Sequence, residues 1–219
     1  MSLSELWSLY GQNYIDALLA TWGMTLESFA IAMVLAVAVT VMRVSPLKPL
    51  RDFGDLYVQV FRNIPGIALL IIVVYALPPL KVVLPYRTCV IVATVLLGSA
   101  FGSENFMSGI NTVGVGQVEA ARSLGMSFSR ILAKIVIPQA LRSSVLPMTN
   151  LFIAVMLTTA LGSQVPLQPQ ELTGVVSYIN TRSLGGVAAF FISALGYLGT
   201  AFVVSHIGNY IDKKVRILR

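Results

Sequence analysis

The residues able to do chemistry in this chain are few, and most of them are grouped. The stretch Glu119–Pro138, EAARSLGMSFSRILAKIVIP, is a long polar segment between hydrophobic spans. Glu119 and Arg122 stand at helical i,i+3 spacing, so they share a face and can pair. Ala120 and Ala121 keep that turn slim, which lets another surface come close. Gly125 breaks or bends the helix, because glycine is the poorest helix former after proline, and Ser127 can cap a new start. Phe128, Ile131, Leu132 and Ile135 then form an apolar stripe, with Arg130 and Lys134 on the other side. Pro138 is expected to stop the pattern. A short amphipathic helix with a slim, charged front end is the shape that lays into a partner's groove; a helix lying on the lipid surface has the same periodicity.

The other candidates are polar groups isolated in apolar sequence: Arg62, Asn63, Glu104, Thr158, Thr159 and Gln164. An ionisable side chain at mid-bilayer costs about 2.5–3.5 kcal/mol on insertion scales, so one that persists faces a cavity or a partner. Arg62 beside Pro65–Gly66 fits a cavity, or snorkels to the inner interface. Glu104, late in its span, points to a salt bridge near the cytoplasmic end. Thr158 and Thr159 either line a pore or bond back to their own helix.

Catalytic signatures are missing. No GxxxxGK[ST] loop cradles phosphates, and no G-x-S-x-G elbow presents a nucleophile. One His (His206) and one Cys (Cys89) make no His/Cys metal cluster. His206 reads as a packed or interface histidine. The expectation is a chain with no catalytic residues and no metal, whose energy comes from a partner.

These residues need a membrane to position them. Of 219 residues 56% are hydrophobic and 11% charged, with mean hydropathy +0.82; soluble domains carry about 25% charged residues. The fold class is therefore an all-α integral membrane protein, a single transmembrane domain over 1–219. About five spans of roughly 20 apolar residues are expected. Residues 1–20 read as an amphipathic lead-in with interfacial Trp7, Tyr10 and Tyr14. The first span is Trp22–Met42. The second starts near Leu56, is interrupted at Arg62–Gly66 and ends at Leu77. The third is Thr88–Phe106, and the fourth Val145–Leu161, bent or broken near Pro147. A polar connector fills Gly162–Gly185, and the last span is Gly186–Ile211. With no Lys or Arg before Arg43, no basic start of a signal peptide is expected.

The net charge of +6 is spread over the loops of one side, from Arg43, Lys48 and Arg51 to Lys213, Lys214, Arg216 and Arg219. That is the placement of a membrane protein, not of a nucleic-acid binder. The positive-inside rule then puts the N-terminus outside and the C-terminus in the cytoplasm, with the polar segment cytoplasmic between spans 3 and 4.

Glu119-Ala120-Ala121, Gly125, Ile135 and Ile137-Pro138 resemble the cytoplasmic "EAA" signature of binding-protein-dependent ABC importer permeases, which usually has Leu where Ile137 stands. From Thr21 onward the chain resembles the polar amino-acid permeases, in Met42-Arg43-Val44-Ser45-Pro46, Arg62-Asn63-Ile64-Pro65, Ser108–Val113 through Gly116-Gln117, Pro138–Arg142 and Asn150–Ala154; glutamate and glutamine systems are the nearest match. The resemblance implies that segment 116–138 couples to an ATPase through Glu119, Ala120, Ala121, Arg122, Gly125, Ile137 and Pro138. It also implies that two permease subunits form the pore, with a heterodimer slightly favoured. A cytoplasmic ATPase dimer would bind ATP and Mg, and an extracytoplasmic solute-binding protein would deliver the amino acid. No cofactor is implied for this chain itself. The expected location is a bacterial inner membrane, in contact with lipid.

Two positions depart from that family. Its usual Arg three residues after Glu104 is Met107 here, and its usual Lys in the fourth span is Leu157. Either a partner subunit supplies the missing cations or the substrate is neutral, glutamine rather than glutamate. The remaining alternatives are a gradient-driven channel or secondary transporter subunit, an ABC permease for another small polar solute, and a scaffold with no pathway.

Overall fold

The computed structural model describes residues 2–182 and 186–215, and every element in them is helical. Helix α1 runs unbroken from Leu3–Arg43, 41 residues or about 60 Å. The expected lead-in and first span are thus one helix. No proline interrupts it, and a buried stripe through Leu6, Tyr14, Ala17, Thr21, Met24, Ser28, Ala32, Ala36 and Val39 continues at three- and four-residue steps past Trp22. Ser2 starts it with a capping box: the Glu5 N–H donates to Ser2 Oγ at 3.3 Å and the Ser2 N–H to Glu5 Oε2 at 2.9 Å.

The second expected span is two helices. Helix α2 (Lys48–Asn63) and α3 (Gly66–Ile71) meet at Ile64–Pro65, and the segment 66–80 is bent 103° from α2. Ile64 precedes a proline and is extended, with ψ 132. Helix α4 (Tyr86–Asn111) is the centre of the bundle, packed on α1, α2, α3 and α8. Its seam with α1 is made of small residues. A Cβ added at Gly102 would lie 2.9 Å from the Ala36 Cβ, and one at Gly98 would lie 3.3 Å from the Ala32 Cβ. Close backbone approach of this kind is how helices associate in lipid.

Helices α5 (Val115–Ser123), α6 (Phe128–Ile131) and α7 (Ile137–Ser143) follow, then α8 (Val145–Thr158), prolonged by a 3₁₀ turn Thr159–Gln164. The interruption expected near Pro147 falls at Ser144, before α8. A proline acts four residues upstream, where its ring meets a carbonyl it cannot bond. The same reach overturns the expectation that Pro138 ends the segment. A π-helical turn over Leu132–Val136 absorbs it and the helix continues to Ser143. Another π turn, Ile72–Ala76, stands before Pro78-Pro79.

The connector after span 4 is more ordered than its composition implies. It contains α9 (Gly174–Arg182), whose Val175 and Ile179 pack with Leu172 against Leu6, Tyr14 and Ala17 of α1 and Ala189 of α10 (Gly186–Val215). Glu171 lies fully buried there. Its carboxylate accepts the N–H groups of Thr173 at 2.6 Å and Gly174 at 2.7 Å, and the Tyr197 hydroxyl at 3.0 Å. Burial pushes this carboxyl above the usual carboxylate range, with the N–H donors pulling the other way. The connector's end at 183–185, and Arg216 and Arg219 of the basic tail, lie outside the described residues.

Among the described residues four helices are long and apolar enough to cross a membrane, or five with the bent pair counted as one. Helix α10 runs four residues beyond the expected Ile211 and exposes Val187, Phe190, Leu198 and Phe202 along its length. His206 on this helix stacks on Phe202, centroids 6.5 Å apart.

Candidate functional site

Two regions collect the candidate residues. In the polar segment, Ala121 is buried with Val113, Ile131 and Val136, so α5 and α6 fold onto one small apolar cluster. Glu119, Ala120 and Arg122 are left exposed, as are Ile137 and Pro138. Among the described residues no ion pair joins Glu119 to Arg122. Gly125 sits at φ +74 with nothing within 4 Å of where a Cβ would be; it makes the turn that the expected bend requires. The reversal leaves Leu124 82% exposed and Phe128 51% exposed. Of the expected apolar stripe, Phe128 is left exposed, while Ile131 joins the cluster and Leu132 and Ile135 pack at its edge. The Gln139 amide ties α7 back to α5, donating to Gln117 Oε1 at 2.6 Å.

The second region is a recess of about 570 Å³ at the break in the bent span, lined by Arg62, Gly66, Phe101, Leu157, Thr158 and Gln164 among others. Arg62, Thr158 and Gln164 are thereby brought together. The Arg62 guanidinium lies 5.4 Å from the Phe101 ring centroid, and its Nη1 is 3.4 Å from Glu104 Oε2. Glu104 makes the expected salt bridge, and makes it twice: the same Oε2 is 3.1 Å from Arg43 Nη1. Thr158 donates its hydroxyl to the Ala154 carbonyl at 2.8 Å, which leaves its oxygen free to accept.

Two other candidates stay outside the recess. Asn63 is exposed and bonds back to the Gln59 carbonyl at 2.6 Å. Thr159 is fully buried, its hydroxyl on the Met156 carbonyl at 2.6 Å. Of the two departures, Leu157 is half-exposed and lines the recess, whereas Met107 is partly buried and is not among its lining residues.

An adjoining recess of about 500 Å³ shares Leu97, Phe101 and Thr158 and adds Thr94, Asn105 and Asn150. The buried Thr94 hydroxyl has no hydrogen-bond partner. Asn105 and Asn150 were legible as amides in apolar spans; nothing in the pattern gave their alignment on one cavity. Arg43 carried even less signal, since it read as one charge of a basic loop.

With this geometry in view, comparison with known proteins is decisive. Residues 28–217 match the family model of the binding-protein-dependent transport system inner membrane component. The chain belongs to this family. The glutamate transport system permease protein GluC of Corynebacterium efficiens is 33% identical over 90% of this chain and 91% of its own. The L-cystine transport system permease protein TcyB of Bacillus subtilis is 31% identical over 95% and 91%. The same bacterium's probable glutamine ABC transporter permease protein GlnM is 31% identical over 97% and 96%. Among solved structures, one described as an amino acid ABC transporter with histidines superposes with a TM-score of 0.92 at 24% identity, covering 98% of this chain and 99% of that one. The inward-facing MetNI methionine ABC transporter gives 0.74 at 19% identity over 99% and 100%.

For a multi-pass inner-membrane permease, polar side chains are informative by their cost. Irregular backbone within the membrane is tolerated only where protein or water covers it. The break at Ile64–Pro65 opens onto a cavity that Arg62 and Gln164 help to line.

Proposed function

We propose that this permease forms half of the translocation pathway of an ATP-driven importer for a polar amino acid. The observation that carries the reading is the recess at the broken span, where Arg62, Thr158 and Gln164 line one cavity. Arg62 offers a forked donor for an α-carboxylate. The Thr158 oxygen and the Gln164 carbonyl offer acceptors for an ammonium group. Leu157 adds no charge to the recess, so one carboxylate is matched and a second is not. This favours glutamine over glutamate, both of which appear in the names of the relatives.

In this reading the N-terminus is outside and the C-terminus cytoplasmic, which puts the exposed face of α5 in the cytoplasm. Glu119, Ala120, Arg122 and the exposed Leu124 then enter a groove of a cytoplasmic ATPase dimer, which binds ATP and Mg. ATP closes that dimer and draws two such segments together, one from each permease subunit; the spans rotate and the pore opens to a loaded solute-binding protein. Hydrolysis reverses the motion, a rigid-body alternation. Residues 116–138 are the coupling segment of a single transmembrane domain.

The test is ATP-dependent uptake by the whole complex with its binding protein in proteoliposomes, comparing labelled glutamine, glutamate and a basic amino acid. Glutamine uptake that stops without ATP is the expected result. ATP hydrolysis with no uptake of any of the three would discard the amino-acid assignment. Glu119→Lys and Gly125→Asp should each lose the co-purifying ATPase, and retention by both would remove the docking role.

A further inference from the structure

The recess cation is not paired in the ordinary way. Arg43 and Arg62 come to the same oxygen, Glu104 Oε2, at 3.1 and 3.4 Å. Arg43 holds the stronger position. Its side chain is only 12% exposed against 39% for Arg62, and it is anchored on a second carboxylate, Asp55 Oδ1, at 2.8 Å from its Nε. Its Nη1 also donates to Ser103 Oγ at 3.3 Å, and Ser103 in turn accepts the Thr40 hydroxyl at 3.1 Å. Arg43 is thus locked at the end of α1 by partners on α2 and α4. Arg62 has Glu104, the Phe101 face and the open recess.

The geometry points to Arg43 as a positioning residue: by holding Glu104, it prevents that carboxylate from closing fully on Arg62 and so keeps the Arg62 guanidinium available to a substrate carboxylate. The inference rests on the reading of the recess as the pathway. Its physical basis is competition. A carboxylate and a guanidinium left to themselves adopt a two-bond, fork-to-fork pair, and a pair so closed has little left for a third group. Here one oxygen is divided between two cations, the nearer and better-buried one lies away from the recess, and the weaker contact belongs to the cation that faces it. Asp55 balances the second positive charge, so the four groups are neutral together while Arg62 remains under-paired.

A purely structural clasp and a competitive one predict opposite outcomes for the same double variant. The experiment uses the assembled complex, and each variant is first shown to co-elute with its ATPase. Arg43→Met should cut glutamine uptake about tenfold, equivalent to about 1.4 kcal/mol, because Glu104 then captures Arg62. Arg43→Lys should retain most of it. Adding Glu104→Gln to Arg43→Met should restore uptake, since no carboxylate remains to occupy Arg62. If Arg43 only ties the helices together, the double variant will fall below both singles, and the proposal is overturned.

A readout independent of transport separates this from the functional reading. The melting-temperature loss caused by Glu104→Gln, compared with and without Arg62→Gln, measures the coupling of that pair. Competition requires the coupling to grow in the Arg43→Met background; an equal or smaller coupling overturns it. A wild-type complex that carries no amino acid, in which the coupling nonetheless grows, would remove the substrate assignment and leave the competition standing.

Discussion

The α1–α4 seam and the α2–α4 seam join the same central helix by opposite means. Along most of α1 the contact is steric: Ala32 and Ala36 sit on Gly98 and Gly102, with no room for another carbon, and the polar contacts Arg43–Glu104 and Thr40–Ser103 lie at its end. Along α2 it is polar. That helix buries only Gly54 and Val58 and is held on α4 by Arg62–Glu104 and a Tyr57–Ser99 hydroxyl contact of 2.7 Å, with Arg43–Asp55 tying it to α1 as well. Lipid supplies no hydrophobic force between helices, so a small-residue seam gains its stability from contact alone and has a single arrangement. A charge seam has several arrangements of similar energy, because a guanidinium can trade partners. The first joint is built from glycine and alanine; the joint beside the break at Ile64–Pro65 is built from pairs able to exchange.

The largest effect that follows is on the steric side. Gly102→Leu would place its Cβ 2.9 Å from Ala36 and 3.0 Å from Met33, and overpacking of this sort costs about 3 kcal/mol. A fall of several degrees in the melting midpoint of the purified protein is expected, together with poor assembly. A variant that melts like wild type would mean that the seam is looser than the contact distances imply.

Glu171 sharpens the contrast, being polar and yet fully buried. Glu171→Ala leaves the Thr173 and Gly174 N–H groups without their acceptor and uncaps α9, at a cost of about 2 kcal/mol. The sign of its pH dependence follows from burial. A carboxyl whose folded pKa is raised contributes fully below its unfolded pKa and loses that contribution as pH rises through the raised value. Thermal stability should therefore decline with pH above the ordinary carboxylate range, and Glu171→Gln should flatten the decline. An unchanged slope in that variant would assign the dependence to another group.

How much of this was legible in the sequence depended on whether a signal was local. The spans, the break at Pro65–Gly66 and the turn at Gly125 are local consequences of hydropathy, proline and glycine, and they appear where those residues put them. Proline's influence was misread by a few residues because it acts through the carbonyl four positions earlier, which moved one break to Ser144 and turned the expected stop at Pro138 into a π turn. Helix α9 was missed because its burial depends on Leu6 and Tyr14, more than 150 residues upstream. The recess was half visible. Arg62, Thr158 and Gln164 stood out as polar residues in apolar sequence, but Asn63 and Thr159 stood out equally and only rotation about their helices separates the two sets. Arg43 looked like a loop charge because its partners, Asp55 and Glu104, lie on other helices.

The smallest effect tests whether the polar seam is as separable as its chemistry implies. Tyr57→Phe keeps the ring that packs on Phe61 at 4.7 Å and removes only the hydroxyl on Ser99. Ser99 is not orphaned, because its hydroxyl donates to the Leu96 carbonyl at 3.0 Å. The cost should be about 0.6 kcal/mol, the usual value of an interhelical hydrogen bond in a membrane protein. Read by amide hydrogen exchange, that is roughly a threefold faster opening of α2, since opening follows the local free energy. The α1 and α4 amides around Ala36 and Gly102 should keep wild-type protection. High salt should add to the effect on α2, through the half-exposed Arg62–Glu104 pair, and leave the Ala36–Gly102 stretch of the α1–α4 seam untouched. Equal acceleration in all three helices would mean that α2 opens only when the bundle does, and the division into a fixed seam and an exchangeable one would fail.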